Sequence, residues 1–233
     1  MEPHIQRRKP RIVRSPLIIH PHTTLLLPPT LFGKVGHYAL LASCSDATVD
    51  CAMKFDKRRK ETHRYEIADT RGRLSLTIPV SKPERSSEAL WSDIKVSTHG
   101  EWWNLHLTAL ESAYGRTPWF EFYVDSFRHL FRRRNPDDCE SITSLCEEAD
   151  TLVRNLLAID TCVAYRHDTS TPLPCDATDM RHSPTPSAGE VSYWQVRGDR
   201  LGFLPDLSVL DLLFNHGSES PIILRDIISR ITI

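Results

Sequence analysis

The chain has 233 residues and sets 29 Lys and Arg against 30 Asp and Glu, with 40% hydrophobic and 25% charged residues. That length is ample for a core and the mixture is globular rather than disordered. The near-neutral balance lacks the basic excess of a general nucleic-acid or membrane-surface binder, so no nucleic-acid partner is expected.

No apolar run approaches the roughly 20 residues that span a bilayer, so no membrane insertion is expected. Six cysteines, at 44, 51, 139, 146, 162 and 175, form no CxxC pair. No secretory leader is visible, and reduced thiols in a cytoplasmic protein are the expectation.

Residues 1 to 17 are polar and basic and read as a flexible tail before one domain over 18 to 233. Residues 18 to 27 are apolar and end at Pro28-Pro29, which reads as a buried strand. His20 and His22 fall on one side of it, a spacing that lets two imidazoles share a metal. No third ligand is near, and neither metal nor cofactor is expected. Gly36-His37-Tyr38 opens a short helix. Ala47, Val49, Cys51, Met53 and Phe55 alternate with more polar residues, the period of a half-buried strand.

Five basic residues lie between Lys54 and Lys60, followed by His63 and Arg64. Such a run is either a charged strand edge that discourages edge pairing or a cradle for phosphate or carboxylate. Asp69-Thr70-Arg71-Gly72 is a turn between two alternating segments, so Arg64–Ala68 and Leu74–Ile78 form a hairpin. Ile94–Ser97 reads as another short strand.

Trp103, Leu107, Leu110 and Tyr114 make the apolar stripe of a helix over 102–114, with His106 on or beside it. A histidine there is either a hydrogen-bonded core residue or, since imidazole titrates near neutrality, a general base. Thr117-Pro118 opens a second helix and Ser141 caps a third. Residues 167 to 187 hold four prolines and read as a long loop containing Asp179 and Arg181, either a binding loop or a surface excursion. Val191–Val196 reads as a strand. A helix over about 209–215 follows, with Ser208 at its N-cap and Asp211 in its first turn, and the last residues pack as a helix. Local hairpins with grouped helices predict an α+β fold: a single domain with a largely antiparallel sheet and helices grouped on one side.

No GxGxxG, GxxxxGK[ST], GxSxG or HExxH motif is present. Several segments, in order, resemble the WbqC family of bacterial proteins. They are Leu26-Leu27-Pro28 with Tyr38; Lys57 and Arg64 leading to Ile78-Pro79-Val80; Trp103, His106 and Glu111-Ser112-Ala113-Tyr114-Gly115 followed by Pro118 to Tyr123; Asp179-Met180-Arg181; and Tyr193 to Gly217. Phe55, Thr62, His63 and Arg197 depart from the family pattern.

The resemblance implies a place in O-antigen or other surface-polysaccharide biosynthesis. Within it, the residue chemistry is that of a transferase placing an acyl or aminoacyl group on an activated amino sugar. Lys57 and Arg64 would hold the phosphates of a nucleotide sugar or the acyl donor. His106 would act as general base oriented by Asp211, and Tyr114, Gln195 and Asn215 would bind the sugar. The same residues also suit a non-catalytic scaffold of the assembly machinery, as caps, turn anchors and a buried network.

Overall fold

The computed structural model describes residues 24–81, 83, 88–132, 140–187 and 191–230. The basic tail and the His20/His22 pair lie outside them. The first strand, β1 (Thr24–Leu27), carries Leu25, Leu26 and Leu27 at 3% exposure or less. Successive side chains of a strand point to opposite faces, so three buried leucines in a row require a sheet covered on both sides. Each contributes about 1.5–3 kcal/mol of apolar transfer. Helix α1 (Val35–Leu41) follows and is buried along its whole length. It leads to β2 (Asp46–Asp50), which pairs parallel to β1.

β3 (Arg64–Asp69) and β4 (Gly72–Thr77) form the antiparallel hairpin that the turn sequence predicts. Asp69 Oδ1 accepts the Arg71 N–H at 2.7 Å, and Gly72 takes φ +127°. The long helices are α2 (Trp102–Tyr114), α3 (Phe120–Arg132) and α4 (Ile142–Leu156). Ser141 caps α4 by accepting the Ser144 N–H at 3.1 Å. β5 (Cys162–Arg166) and the two-residue β6 (Thr178–Asp179) return to the first sheet. The short α5 (Gly198–Leu201), α6 (Val209–His216) and α7 (Ser220–Arg230) complete the chain.

The expectation of a largely antiparallel sheet is overturned. The main sheet has four strands in the order β5-β2-β1-β6, and every pair in it is parallel. The hairpin is a separate two-stranded sheet packed against α2 and α6. Local pattern exposes a hairpin because its partners are adjacent in sequence. The parallel pairs join segments separated by a crossover, and two of the three join segments more than a hundred residues apart, such as Ala47 with Val163, which leaves no local mark. Residues 191–196, expected as a strand, form none. Ile94–Ser97 makes only isolated bridges, Val96 to Val80 and Lys95 to Ser141.

One continuous hydrophobic core runs from β1 to α7. Its centre is aromatic: Phe32 meets Tyr65, Phe127 and Phe131 edge-on at ring separations of 5.0–6.0 Å. Phe214 of α6 packs on Tyr114, Phe120 and Phe127.

Candidate functional site

The strand order places a topological switch beside β1: the chain leaves β1 toward β2 on one side and returns through β6 on the other. In open parallel sheets the crevice outside the carboxyl ends of the strands at such a switch is where ligands bind. A cleft of about 280 Å³ lies there, lined by Thr30 to Lys34 after β1, Arg58, Lys60, Glu61, Arg64 to Glu66, Thr185 after β6, and Asp206 with Ser208 before α6.

Backbone bonds hold these segments together. Leu31 N–H donates to Glu61 O at 2.8 Å, Ser208 N–H to Glu66 O at 2.8 Å and Val209 N–H to Gly33 O at 2.9 Å. The Ser208 hydroxyl donates to Phe32 O at 2.8 Å. Phe32 at φ +43° and Asp206 at φ +57° are two of the four non-glycine residues with positive φ among the described residues. Such backbone costs about 1–3 kcal/mol and tends to collect at ligand sites.

The charges of the cleft are unequal in their partners. Arg58 is pinned to Asp56 through Nε and Nη2 at 3.2 Å each. Glu66 accepts from Arg73 and Ser75, Glu61 has Arg59 at 3.9 Å, and Asp206 accepts from Ser187. Among the described residues, Lys34, Lys60 and Arg64 have no ion-pair partner; Arg64 donates only to the Thr77 hydroxyl at 2.8 Å. Their field is felt by His63, whose imidazole is pushed down to about 4 by burial first and then by Lys60 and Arg64.

The residues singled out in the sequence do not meet in one place. Arg64 lines the cleft, whereas Lys57 is exposed and does not. His106 is buried between rings of Tyr65, Trp102 and Phe131. Its Nε2 lies 3.3 Å from Thr77 O, which can only accept, so Nε2 carries the proton and Tyr65 donates to Nδ1 at 3.1 Å. Both nitrogens are thus engaged, and burial holds the pKa at about 4. Tyr65 lines the cleft, and Thr77 holds Arg64, so His106 braces two elements of its wall.

Asp211, Tyr114, Gln195 and Asn215 come together in a second, buried place. The Asp211 carboxylate, 1% exposed, accepts from Tyr114 at 2.8 Å, Tyr193 at 2.9 Å and Gln195 at 2.8 Å. Burial raises its pKa even against those three donors. Besides its bond to Asp211, the Gln195 amide donates to Leu204 O and accepts the Leu204 N–H. Asn215 donates to Asp211 O and accepts the Val196 N–H. The network clamps the segment from 193 to 206 onto α6 and so sets where Asp206 and Ser208 meet the cleft. The α6 cap itself is Ser208, which accepts the Leu210 N–H at 3.3 Å.

Asp179 and Arg181 are also structural. Arg181 and Arg166 donate to the two oxygens of Asp50, 1% exposed, at 2.7 Å each, tying together the carboxyl ends of β2, β5 and β6. Arg181 also grips Asp179 at 2.7 Å.

Sequence reading missed His37. It lies in a crevice of about 20 Å³ that adjoins the cleft and shares Thr30, Glu61 and Thr185 with it. The available signal was a single imidazole in an otherwise mostly apolar buried helix, Val-Gly-His-Tyr-Ala-Leu-Leu. Among the described residues no group of three or more His, Cys, Asp or Glu could hold a metal ion, and no helix is long and apolar enough to cross a membrane.

No curated protein and no solved structure matches the chain. A family model, that of the WbqC-like protein family, matches residues 29–173. That range contains β1's exit loop, the hairpin, α2 to α4 and β5, which is well over half of the chain, and it stops short of the buried network around Asp211. The chain therefore belongs to the WbqC-like protein family.

Proposed function

We propose that this protein is a cytoplasmic transferase of surface-polysaccharide (O-antigen) biosynthesis that acts on an activated sugar, by acyl or aminoacyl transfer, in the cleft at the β1/β6 switch point. The observation that carries this reading is the meeting of Lys34, Lys60 and Arg64 in one concave site, each without an ion-pair partner among the described residues. Unpaired cations in a cleft suit phosphate groups, Lys as point charges and Arg as a fork. Lys57, exposed nearby in sequence, adds to the attracting field. His106 serves as a positioning residue for Tyr65 and Arg64. Asp211, Tyr114, Gln195 and Asn215 position the segment that brings Asp206 to the cleft.

The test is mass spectrometry of metabolites that copurify with the protein, joined to thermal-shift screening against nucleotide sugars and acyl thioesters. A stabilising nucleotide sugar whose effect disappears in the Lys60→Ala/Arg64→Ala double variant is the expected result. Silence from both compound classes, with no bound metabolite, refutes the proposal. A scaffold role has one observation in its favour: Phe122 is 75% exposed on α3 beside the Trp119 ring, a surface that suits a protein partner.

A further inference from the structure

His37 is buried to 5% exposure, yet its imidazole makes no hydrogen bond among the described residues. Its ring nitrogens are not among the buried side-chain atoms left without a partner, so they open onto the crevice or solvent rather than being sealed in the core, and they are free to meet an incoming group. His106 is the contrast, with both nitrogens bonded. The His37 crevice holds about 20 Å³, room for roughly one water or one hydroxyl. Its polar lining is Thr30, Arg59, Glu61, Ser183 and Thr185. Gly33 lines the larger cleft, and a Cβ there would lie 3.0 Å from both the His37 ring and the Thr30 hydroxyl. A side chain at 33 would press on both, so the glycine leaves the imidazole and the hydroxyl close to the cleft wall.

We propose that His37 is a catalytic general base of the cleft, receiving a proton from the acceptor hydroxyl or amine that enters its crevice while Lys34, Lys60 and Arg64 hold the phosphate of the same substrate. This rests on the reading of the cleft as the substrate site. The acceptor oxygen or nitrogen bonds to the acyl carbon of a thioester donor as its proton passes to His37. The C–S bond then breaks and the imidazolium returns the proton to the thiolate. Acceptor and thioester become ester or amide and free thiol, and nothing else is consumed. The groups facing His37 are Glu61 and Arg59 from the segment before β3 and Asp150 from α4. Burial outweighs the two carboxylates and keeps the ring neutral, the form a base requires.

The experiment uses inorganic pyrophosphate as the probe for the cations and long-range ¹H–¹⁵N spectra of the histidine rings as the reporter. Pyrophosphate should bind the wild type and raise the His37 apparent pKa, since an anion nearby favours imidazolium. His37→Gln should bind pyrophosphate with a dissociation constant within about threefold of wild type. With acetyl-coenzyme A and glucosamine 1-phosphate, thiol release should fall about 100-fold or more in that variant. Because the His37 side chain makes no hydrogen bond among the described residues, glutamine breaks none, and the titration of the wild type needs no variant. Pyrophosphate binding with an unmoved His37 signal, or turnover by His37→Gln close to wild type, overturns the assignment while the cleft reading stands. Absence of thiol release from the wild type overturns the acyl-transfer step. Absence of pyrophosphate binding overturns the cleft reading and this inference with it.

Discussion

Replacing His106 with glutamine should flatten the acid limb of the stability curve. The ring has a pKa of about 4 in the fold against 6.5 ordinarily, mainly through burial. As pH falls, the unfolded chain takes up the proton first and the folded state resists it. The stabilising contribution is therefore complete above pH 6.5 and is lost progressively as pH falls to about 4. At about 1.4 kcal/mol per pH unit across that window, the loss is about 3 kcal/mol. Glutamine can still donate to Thr77 O and accept from Tyr65, so the variant folds with the same partners. Urea midpoints at pH 7.5 and pH 4, converted with a shared m-value, give the comparison. Wild type should lose about 3 kcal/mol more than His106→Gln over that interval. His63 and His37 shift in the same direction but remain in both proteins and cancel. Parallel curves would show that His106 takes up its proton in the folded state as easily as in the unfolded one, and would refute the neutral, doubly bonded ring.

Tyr114→Phe removes one donor from the buried Asp211 carboxylate and leaves the Ala68 N–H without its acceptor. Chemical denaturation should show a loss of about 3 kcal/mol, and a loss under about 1 would argue that the network is slack. Asp50→Asn strands Arg166 and Arg181 against a neutral amide, and the expected cost of breaking a buried pair is about 3–5 kcal/mol, read from the thermal midpoint. Gly217→Ala puts a Cβ 2.1 Å from the Trp119 ring at φ +51°. It should lower stability by about 2 kcal/mol or more and change tryptophan fluorescence. Arg64→Ala takes away one of the charges that depress His63. The His63 pKa, followed by NMR, should rise toward its ordinary value, and an unchanged titration would place Arg64's charge elsewhere.

Much of the local structure was legible because its causes are local. The turn at Asp69 to Gly72, the caps at Ser141 and Ser208, and the 3.6-residue stripe of α2 each depend on residues within one or two turns of one another. The basic run before β3 was legible as a charge pattern, though not which of its members would face a cleft: Lys60 and Arg64 do, and Lys57 does not. Asp211 shows the limit most clearly. Its position in the first turn of α6 reads as dipole compensation, yet its side chain turns inward to two tyrosines and a glutamine that come from α2 and from the segment after 190.

From the amino-acid sequence alone come the family, the hairpin, the long helices and the presence of chemically able residues. The tertiary structure decided how the strands pair and which of those residues meet. β6 is two residues long inside a stretch that reads as loop, yet by pairing with β1 it creates the switch point and with it the cleft. His37 sits in a helix whose pattern marks it only as buried, and it becomes a candidate base because β1's exit loop and residues 183–186 close around it. Parallel pairing and side-chain convergence both depend on hydrogen bonds and packing between segments far apart in the chain, and periodicity within one segment carries no record of them.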